Sequence, residues 1–264
     1  MSAPVSGTAV RTQSPSHRKF ERAIVVGASS GMGAELAKQL AAEGAHVALV
    51  GRRAAELEGV AAAIRAKGGR AVVAVHDVTK YDEVPATYER LVNELGGLDF
   101  LAYVSGAQYN PEESVYDFAQ DREMIEVNVI GAIAWTQLAA AAFEAQRGGT
   151  IVGVSSIAGE RGRRTMPGYT TSKAAMSTWM EALRNRIARY GVNVVTIKPG
   201  FVDTAKTAHL DKKPMVISPA KAAELMLKAA HRGGSPSVFV PGQWQLVALI
   251  IRHIPSFVFR KLNL

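Results

Sequence analysis

Seven short apolar runs recur along the chain, at residues 23–26, 46–50, 71–75, 98–104, 150–154, 192–197 and 237–240. They are continuous rather than alternating, the pattern of strands buried on both faces. Alanine-rich helical stretches separate them, among them 34–42 and the long 169–190. Strands alternating with helices predict an α/β fold, a doubly wound Rossmann-type parallel sheet of about seven strands covered on both sides. One domain over 21–242 accounts for the whole pattern, and neither a second core nor a repeat is visible.

The flanks read differently. Residues 1–20 are rich in Ser, Thr, Ala and Pro and hold no apolar stretch long enough for a secretory signal. A disordered tail is expected; Arg11, Arg18 and Lys19, with no acid before Glu21, keep an organellar transit peptide open. Residues 243–264 form an apolar and basic helical extension, broken at Pro255. Its apolar run falls well short of the ~20 residues that span a bilayer, so no transmembrane span is expected. Three readings stand for it: burial on its own domain or a partner subunit, a lid, or an interfacial membrane element. Arg252, Arg260 and Lys261 beside Trp244, Phe257 and Phe259 suit the last.

Composition narrows the function. The 264 residues are 48% hydrophobic, enough for a full core. The absence of cysteine excludes disulfides and thiolate metal sites and suits a reducing compartment, the cytoplasm. The six histidines are scattered with no pair at helix-ligand spacing, so no metal is expected. The net charge of +8 is spread without a long basic run. A phosphate-bearing small molecule satisfies it as well as nucleic acid would, and no nucleic-acid partner is expected.

The first strand runs into Gly27-Ala28-Ser29-Ser30-Gly31-Met32-Gly33 and then a helix. Glycines at such a turn let the backbone approach a pyrophosphate, which meets the free N–H groups at the helix start. After the second strand, where a NAD site would place an acid for the ribose hydroxyls, stand Gly51, Arg52 and Arg53. Guanidinium groups pair with a 2′-phosphate, so NADP(H) is the expected cofactor. Asp77, before Val78 at the end of the third strand, has two readings: acceptor for the adenine amino group, or cap of a short turn. Further on, Tyr169 and Lys173 are four apart on one helix face, thirteen positions after Ser156. A cation beside a phenol favours its ionised form and makes a usable acid or base.

With these residues in place the chain resembles the short-chain dehydrogenase/reductase family, over roughly residues 21–242. The resemblance implies Asn128, Ser156, Tyr169 and Lys173 as the catalytic four. Ser156 would position the carbonyl, Tyr169 give the proton, and Lys173 tune the tyrosine and bond the ribose; Asn128 would hold a water. It places the cofactor on Gly27, Ser29, Ser30, Gly31, Met32, Gly33, Arg52, Arg53, Asp77, Val78, Gly106, Tyr169 and Lys173. It adds the turn residues Pro199, Gly200, Val202 and Thr204, of which Val202 and Thr204 would hold the nicotinamide carboxamide. It also implies a homo-oligomer, paired through the fourth and fifth helices, and reduction of a ketone to a secondary alcohol. Two departures stand out: Val26 replaces the usual threonine, and Tyr103-Val104-Ser105-Gly106 replaces N-N-A-G.

The stretches 158–164 and 250–264 resemble a narrower group, reductases of decaprenylphosphoryl 2-keto-pentose, which implies a lipid-linked carbonyl substrate. Arg161, Arg163 and Arg164 have two readings, partners for a substrate anion or a solvated loop or subunit contact. The stretch 205–217, with Lys206, Lys212, Lys213 and Met215, is expected to be the substrate loop. A general reductase of soluble ketones and a non-catalytic NADP(H)-binding sensor or scaffold are the alternatives; intact Asn128, Ser156, Tyr169 and Lys173 speak against the sensor.

Overall fold

The structure, a computed structural model, describes residues 19–109, 112, 114–204, 214–234 and 236–262. Residues 1–18, most of the expected tail, lie outside the described residues, as do Lys206, Lys212 and Lys213.

Seven parallel strands form one sheet in the order β3-β2-β1-β4-β5-β6-β7. They are β1 (Arg22–Val26), β2 (His46–Gly51), β3 (Arg70–Val75), β4 (Phe100–Tyr103), β5 (Thr150–Val154), β6 (Asn193–Pro199) and β7 (Ser237–Val240). Side chains alternate across the sheet, so each strand feeds two cores. In β1, Ala23 and Val25 enter one core with Leu36, Leu40 and Met226, while Ile24 and Val26 enter the other with Leu91, Trp135 and Met180. The apolar runs of the central strands are unbroken because helices cover both faces, while at the edge β3 leaves Val75 exposed. The first core lies under α1 (Gly31–Ala42), α2 (Ala54–Arg65) and α7 (Pro219–Arg232). The second lies under α3 (Val84–Leu95), α5 (Gly131–Gln146) and α6 (Pro167–Ile187).

The helix between β4 and β5 runs continuously over Phe118–Gln146. It comprises α4 (Phe118–Ile125), one π-helical stretch Glu126–Ile130, and α5. Among the described residues it alone is long and apolar enough to cross a membrane, but 56% of its apolar window is buried in the domain. It is a core helix.

Both flanks of the domain pack against it. Phe20, assigned to the tail, is buried, with its ring 4.6 Å from Phe100 and 4.9 Å from His231. The C-terminal extension, α8 (Trp244–His253) and α9 (Ser256–Phe259), packs directly on the domain. Trp244 and Ala248 form a third apolar cluster with Ile157, flanked by Phe201 and Phe239. Burial on its own domain therefore describes the inner face of α8, one of the three readings of this segment. Its outer face leaves Leu246, Leu249 and Ile250 exposed.

Candidate active site

In a sheet of this order the chain reverses direction of travel between β1 and β4, and a crevice opens beyond their carboxyl ends. A cavity of about 480 Å³ lies there. The turn Gly27 to Gly33 forms one wall, with Gly51, Arg52, Arg53, His76 and Val78 from the ends of β2 and β3. Val104, Ser105, Gly106, Val127 and Thr204 close it.

The glycine turn has steric reasons at two positions. A Cβ on Gly33 would lie 2.1 Å from the Gly27 carbonyl oxygen, and one on Gly27 would lie 2.5 Å from the Ser105 nitrogen. Only bare backbone lets the turn fold this tightly against itself and the chain leaving β4. The N-cap of α1, Ser30, makes no side-chain capping bond, and no acid occupies the first turn. The N–H groups of the first turn keep their positive potential beside the cavity, a fit for a diphosphate.

Two arginines guard the β2 end. Arg53 donates to the hydroxyls of Ser29 (2.8 Å) and Ser30 (2.6 Å) and so braces the glycine turn. Arg52 is largely exposed, 3.7 Å from Asp77 Oδ2. Asp77 Oδ1 accepts from the Thr79 backbone (3.0 Å) and hydroxyl (2.9 Å), which is the turn-forming reading of this residue. Burial would raise the Asp77 carboxyl, but the Thr79 bonds, Arg52 and His76 outweigh it and hold it low. His76 was not a sequence candidate; it lines the cavity with its ring set edge-on to Trp135 at 5.6 Å.

Ser156, Tyr169 and Lys173, three of the expected catalytic residues, gather at the end of β5 and the start of α6. Lys173 is buried, donates to the Val154 carbonyl at 3.0 Å, and lies 5.8 Å from the Tyr169 ring centroid. Ser156 leaves β5 in extended conformation, accepts from the Ala158 amide at 3.1 Å, and hydrogen-bonds the Tyr169 phenol. Its neighbour Ser155 is spent on structure, bonding the Lys173 carbonyl (2.7 Å) and Ser177 (2.8 Å). Burial pushes the Tyr169 phenol above its ordinary 10.0, opposed by the Ser156 bond and the Arg163 charge.

Asn128 sits in the π-helical stretch, a local widening common at functional sites. Its amide accepts from Ala107 N (2.7 Å) and donates to Ala107 O and Ser172 Oγ (both 2.9 Å). These three bonds tie the side chain to two residues, Ala107 and Ser172. Tyr103 explains the loss of N-N-A-G: fully buried, its hydroxyl donates to the Val127 carbonyl at 2.5 Å and supports the same stretch from below. Gly131 makes room, since a Cβ there would lie 2.6 Å from that hydroxyl.

The turn after β6 is likewise occupied from behind. Gly200 donates to the Val240 carbonyl at 3.0 Å, and its missing side chain is replaced by Trp244, 1.9 Å from where a Cβ would stand. Pro199 ends β6, Val202 is buried, and Thr204 faces Gly31 across the cavity mouth.

The arginine loop divides. Arg161 donates to the Ile251 carbonyl (2.9 Å), the Ile254 carbonyl and the Ser256 hydroxyl (3.3 Å), and stacks 4.1 Å over Phe259. It is a clasp on the C-terminal extension and is not free for a substrate anion. Glu160, with a side chain 2% exposed, lies 2.7 Å from Lys198 Nζ and pairs also with Arg252. The Lys198 contact is a close ion pair without hydrogen-bond alignment. No local pattern announces this triad, because its members are distant in sequence. Among the described residues, no three His, Asp or Glu side chains gather as a metal would require.

The family described as short chain dehydrogenase matches residues 21–214. An uncharacterized oxidoreductase of Myxococcus xanthus is 36% identical over 241 residues, 91% of this chain and 95% of that one. Another from Staphylococcus aureus is 33% identical over 210 residues, 78% of this chain and 89% of its own. The crystal structure of a short-chain type dehydrogenase/reductase from Mycobacterium marinum superposes with a TM-score of 0.78 at 28% identity, covering 85% of this chain and 95% of that one. A 7α-hydroxysteroid dehydrogenase, complexed with NADH and 7-oxo glycochenodeoxycholic acid, gives 0.78 at 25% identity over 84% and 93%. Its fold, its glycine-lined crevice and these relatives agree: the chain belongs to the short-chain dehydrogenase family of oxidoreductases that use a nicotinamide cofactor.

Proposed function

We propose that this protein is an NADPH-dependent reductase that converts a ketone to a secondary alcohol, with Tyr169 as proton donor. The observation that carries the reading is the grouping of Tyr169 with Ser156, which hydrogen-bonds its phenol, and with buried Lys173, whose Nζ lies 5.8 Å from its ring centroid. When bound, the reduced nicotinamide supplies the hydride that the carbonyl carbon accepts. Ser156 orients the carbonyl oxygen, and Tyr169 gives it a proton. The phenolate left behind is stabilised by the cations Lys173 and Arg163. Gly27, Ser29 to Gly33, Val78, Gly106 and Thr204 would hold the cofactor. Exposed Arg52 at the cavity rim, with no acid beside it on β2, supports NADPH over NADH. The reading includes a cytoplasmic homo-oligomer, supported by partly exposed Ile130, Ala134 and Leu138 along α5 and its approach.

A second reading, a carbonyl carried on a membrane lipid, has one observation in its favour. The extension exposes Leu246, Leu249, Ile250 and Phe257, and residues 243–262 contain basic side chains but no acid. The deciding experiment follows NADPH oxidation by wild type and Tyr169→Phe. Substrates are simple ketones, soluble keto-sugars and a polyprenylphosphoryl keto-sugar. Turnover should fall by about 10²–10⁴-fold in the variant with any accepted ketone. Full turnover by Tyr169→Phe would sink the reading, and turnover confined to the lipid-linked ketone would favour the second one.

A further inference from the structure

The C-terminal extension has two faces, and only the inner one meets the domain. Trp244, Ala248 and Ile251 of α8 are buried there. Leu246, Leu249 and Ile250 recur at the helical spacing of three and four and form a second stripe, exposed to water. Beyond Pro255 the chain continues the exposed apolar surface with Phe257, Val258 and Leu262. These six are nearly half of the thirteen large hydrophobic side chains exposed among the described residues. Scattered exposed leucines are ordinary, but such a concentration in one segment marks a surface that meets something.

The charges around the stripe narrow the choice. Residues 243–262 hold Arg252, His253, Arg260 and Lys261 and no acid. Arg252 pairs with Glu160, whereas Arg260 and Lys261 make no ion pair among the described residues. A second copy docking the same face about a two-fold axis would bring like charges together. An anionic lipid surface offers the opposite sign to the cations and an apolar interior to the stripe. With 10 residues, α8 is about 15 Å long, so it would lie in the interface without crossing it. A cavity of about 470 Å³ lined by Phe239, Leu246, Ala248 and Leu249 adds room for an acyl chain.

We propose that the outer face of α8 and α9 is a docking surface for anionic bilayers. Docking seats the lipid on the element that Arg161 clasps to the loop between Ser156 and Tyr169. The inference concerns a surface and does not rest on ketone reduction. It supplies the membrane contact that a lipid-borne substrate would need.

The full chain is floated with vesicles of phosphatidylcholine, alone or with an equal part of phosphatidylglycerol. Wild type should bind the mixed vesicles and come off as salt rises, because screening weakens the charge contact. Leu249→Asn with Ile250→Asn should lower the partition by about 10-fold or more. Arg260→Gln with Lys261→Gln should lower it by about 10- to 30-fold on mixed vesicles and leave binding to phosphatidylcholine unchanged. Phe118→Ser, at an exposed aromatic of α4, should float as wild type does. Every substituted side chain is exposed, and equal melting temperatures check that each variant is folded. Wild type left behind by the mixed vesicles, or equal flotation of all variants, overturns the proposal. So does a lower oligomeric order of the Leu249, Ile250 variant in sedimentation velocity, which would give the face to a second copy. Flotation is read without turnover, so loss of the reductase reading leaves this test standing.

Discussion

The two ends of the site are built from different materials. The cofactor end is backbone: glycines at van der Waals limits, an uncapped helix start, and two arginines laid over it. The proposed catalytic end is side chains: Ser156, Tyr169 and Lys173, backed by Glu160, Arg161, Lys198 and Trp244. A backbone site tolerates no added atom but asks little of distant sequence. A side-chain site depends on partners far along the chain, and its weak points lie away from the chemistry.

The sharpest way to break that contrast is Glu160→Gln. Lys198 would keep its charge, buried and unpaired, at a cost of about 3–5 kcal/mol. Chemical denaturation should register that loss, and half-exposed Arg252 should contribute little to it. Stability unchanged within ~1 kcal/mol would mean the catalytic end is not held this way. Next comes Arg52→Ser at the other end, which should weaken NADPH by about 1.5–3 kcal/mol and leave NADH nearly untouched. Equal loss for both cofactors in fluorescence titration would remove the 2′-phosphate role. Gly33→Ala should cost about 1–3 kcal/mol of stability, since a methyl 2.1 Å from a carbonyl oxygen forces the turn to move. Cofactor binding should weaken in the same variant while Ser156 and Tyr169 keep their places.

The smallest effect concerns His76, below the cofactor end. Burial lowers its pKa below the ordinary 6.5, against Glu83 and Asp77. The unfolded chain then binds the proton first, so stability should fall as pH drops through 6.5 towards the folded value. Thermal melts between pH 7.5 and 5 should show a shallower decline in His76→Gln. An identical slope would place the titration elsewhere.

The contrast also explains what could be read in the sequence. Continuous apolar strands, the glycine spacing and the Ser156, Tyr169, Lys173 interval are local patterns, and the sheet and the crevice follow from them. Arg161 looked like Arg163 because nothing nearby says that Ile251, Ile254 and Ser256 will fold back onto it. Tyr103 looked like damage to a motif, and only the Val127 carbonyl and the gap at Gly131 reveal it as a repair. Phe20 was lost in a polar tail because a single aromatic carries no period.

Gly200 and Trp244 tie the site to the order of synthesis. Every catalytic side chain and the whole glycine turn leave the ribosome before the tryptophan that fills the space behind Gly200. A message cut short after β7 would thus yield a chain with Ser156, Tyr169 and Lys173 present and the turn after β6 unsupported. Truncation before Trp244, or a fusion that lifts α8 away, should therefore loosen the turn after β6 while leaving Ser156, Tyr169 and Lys173 in the chain.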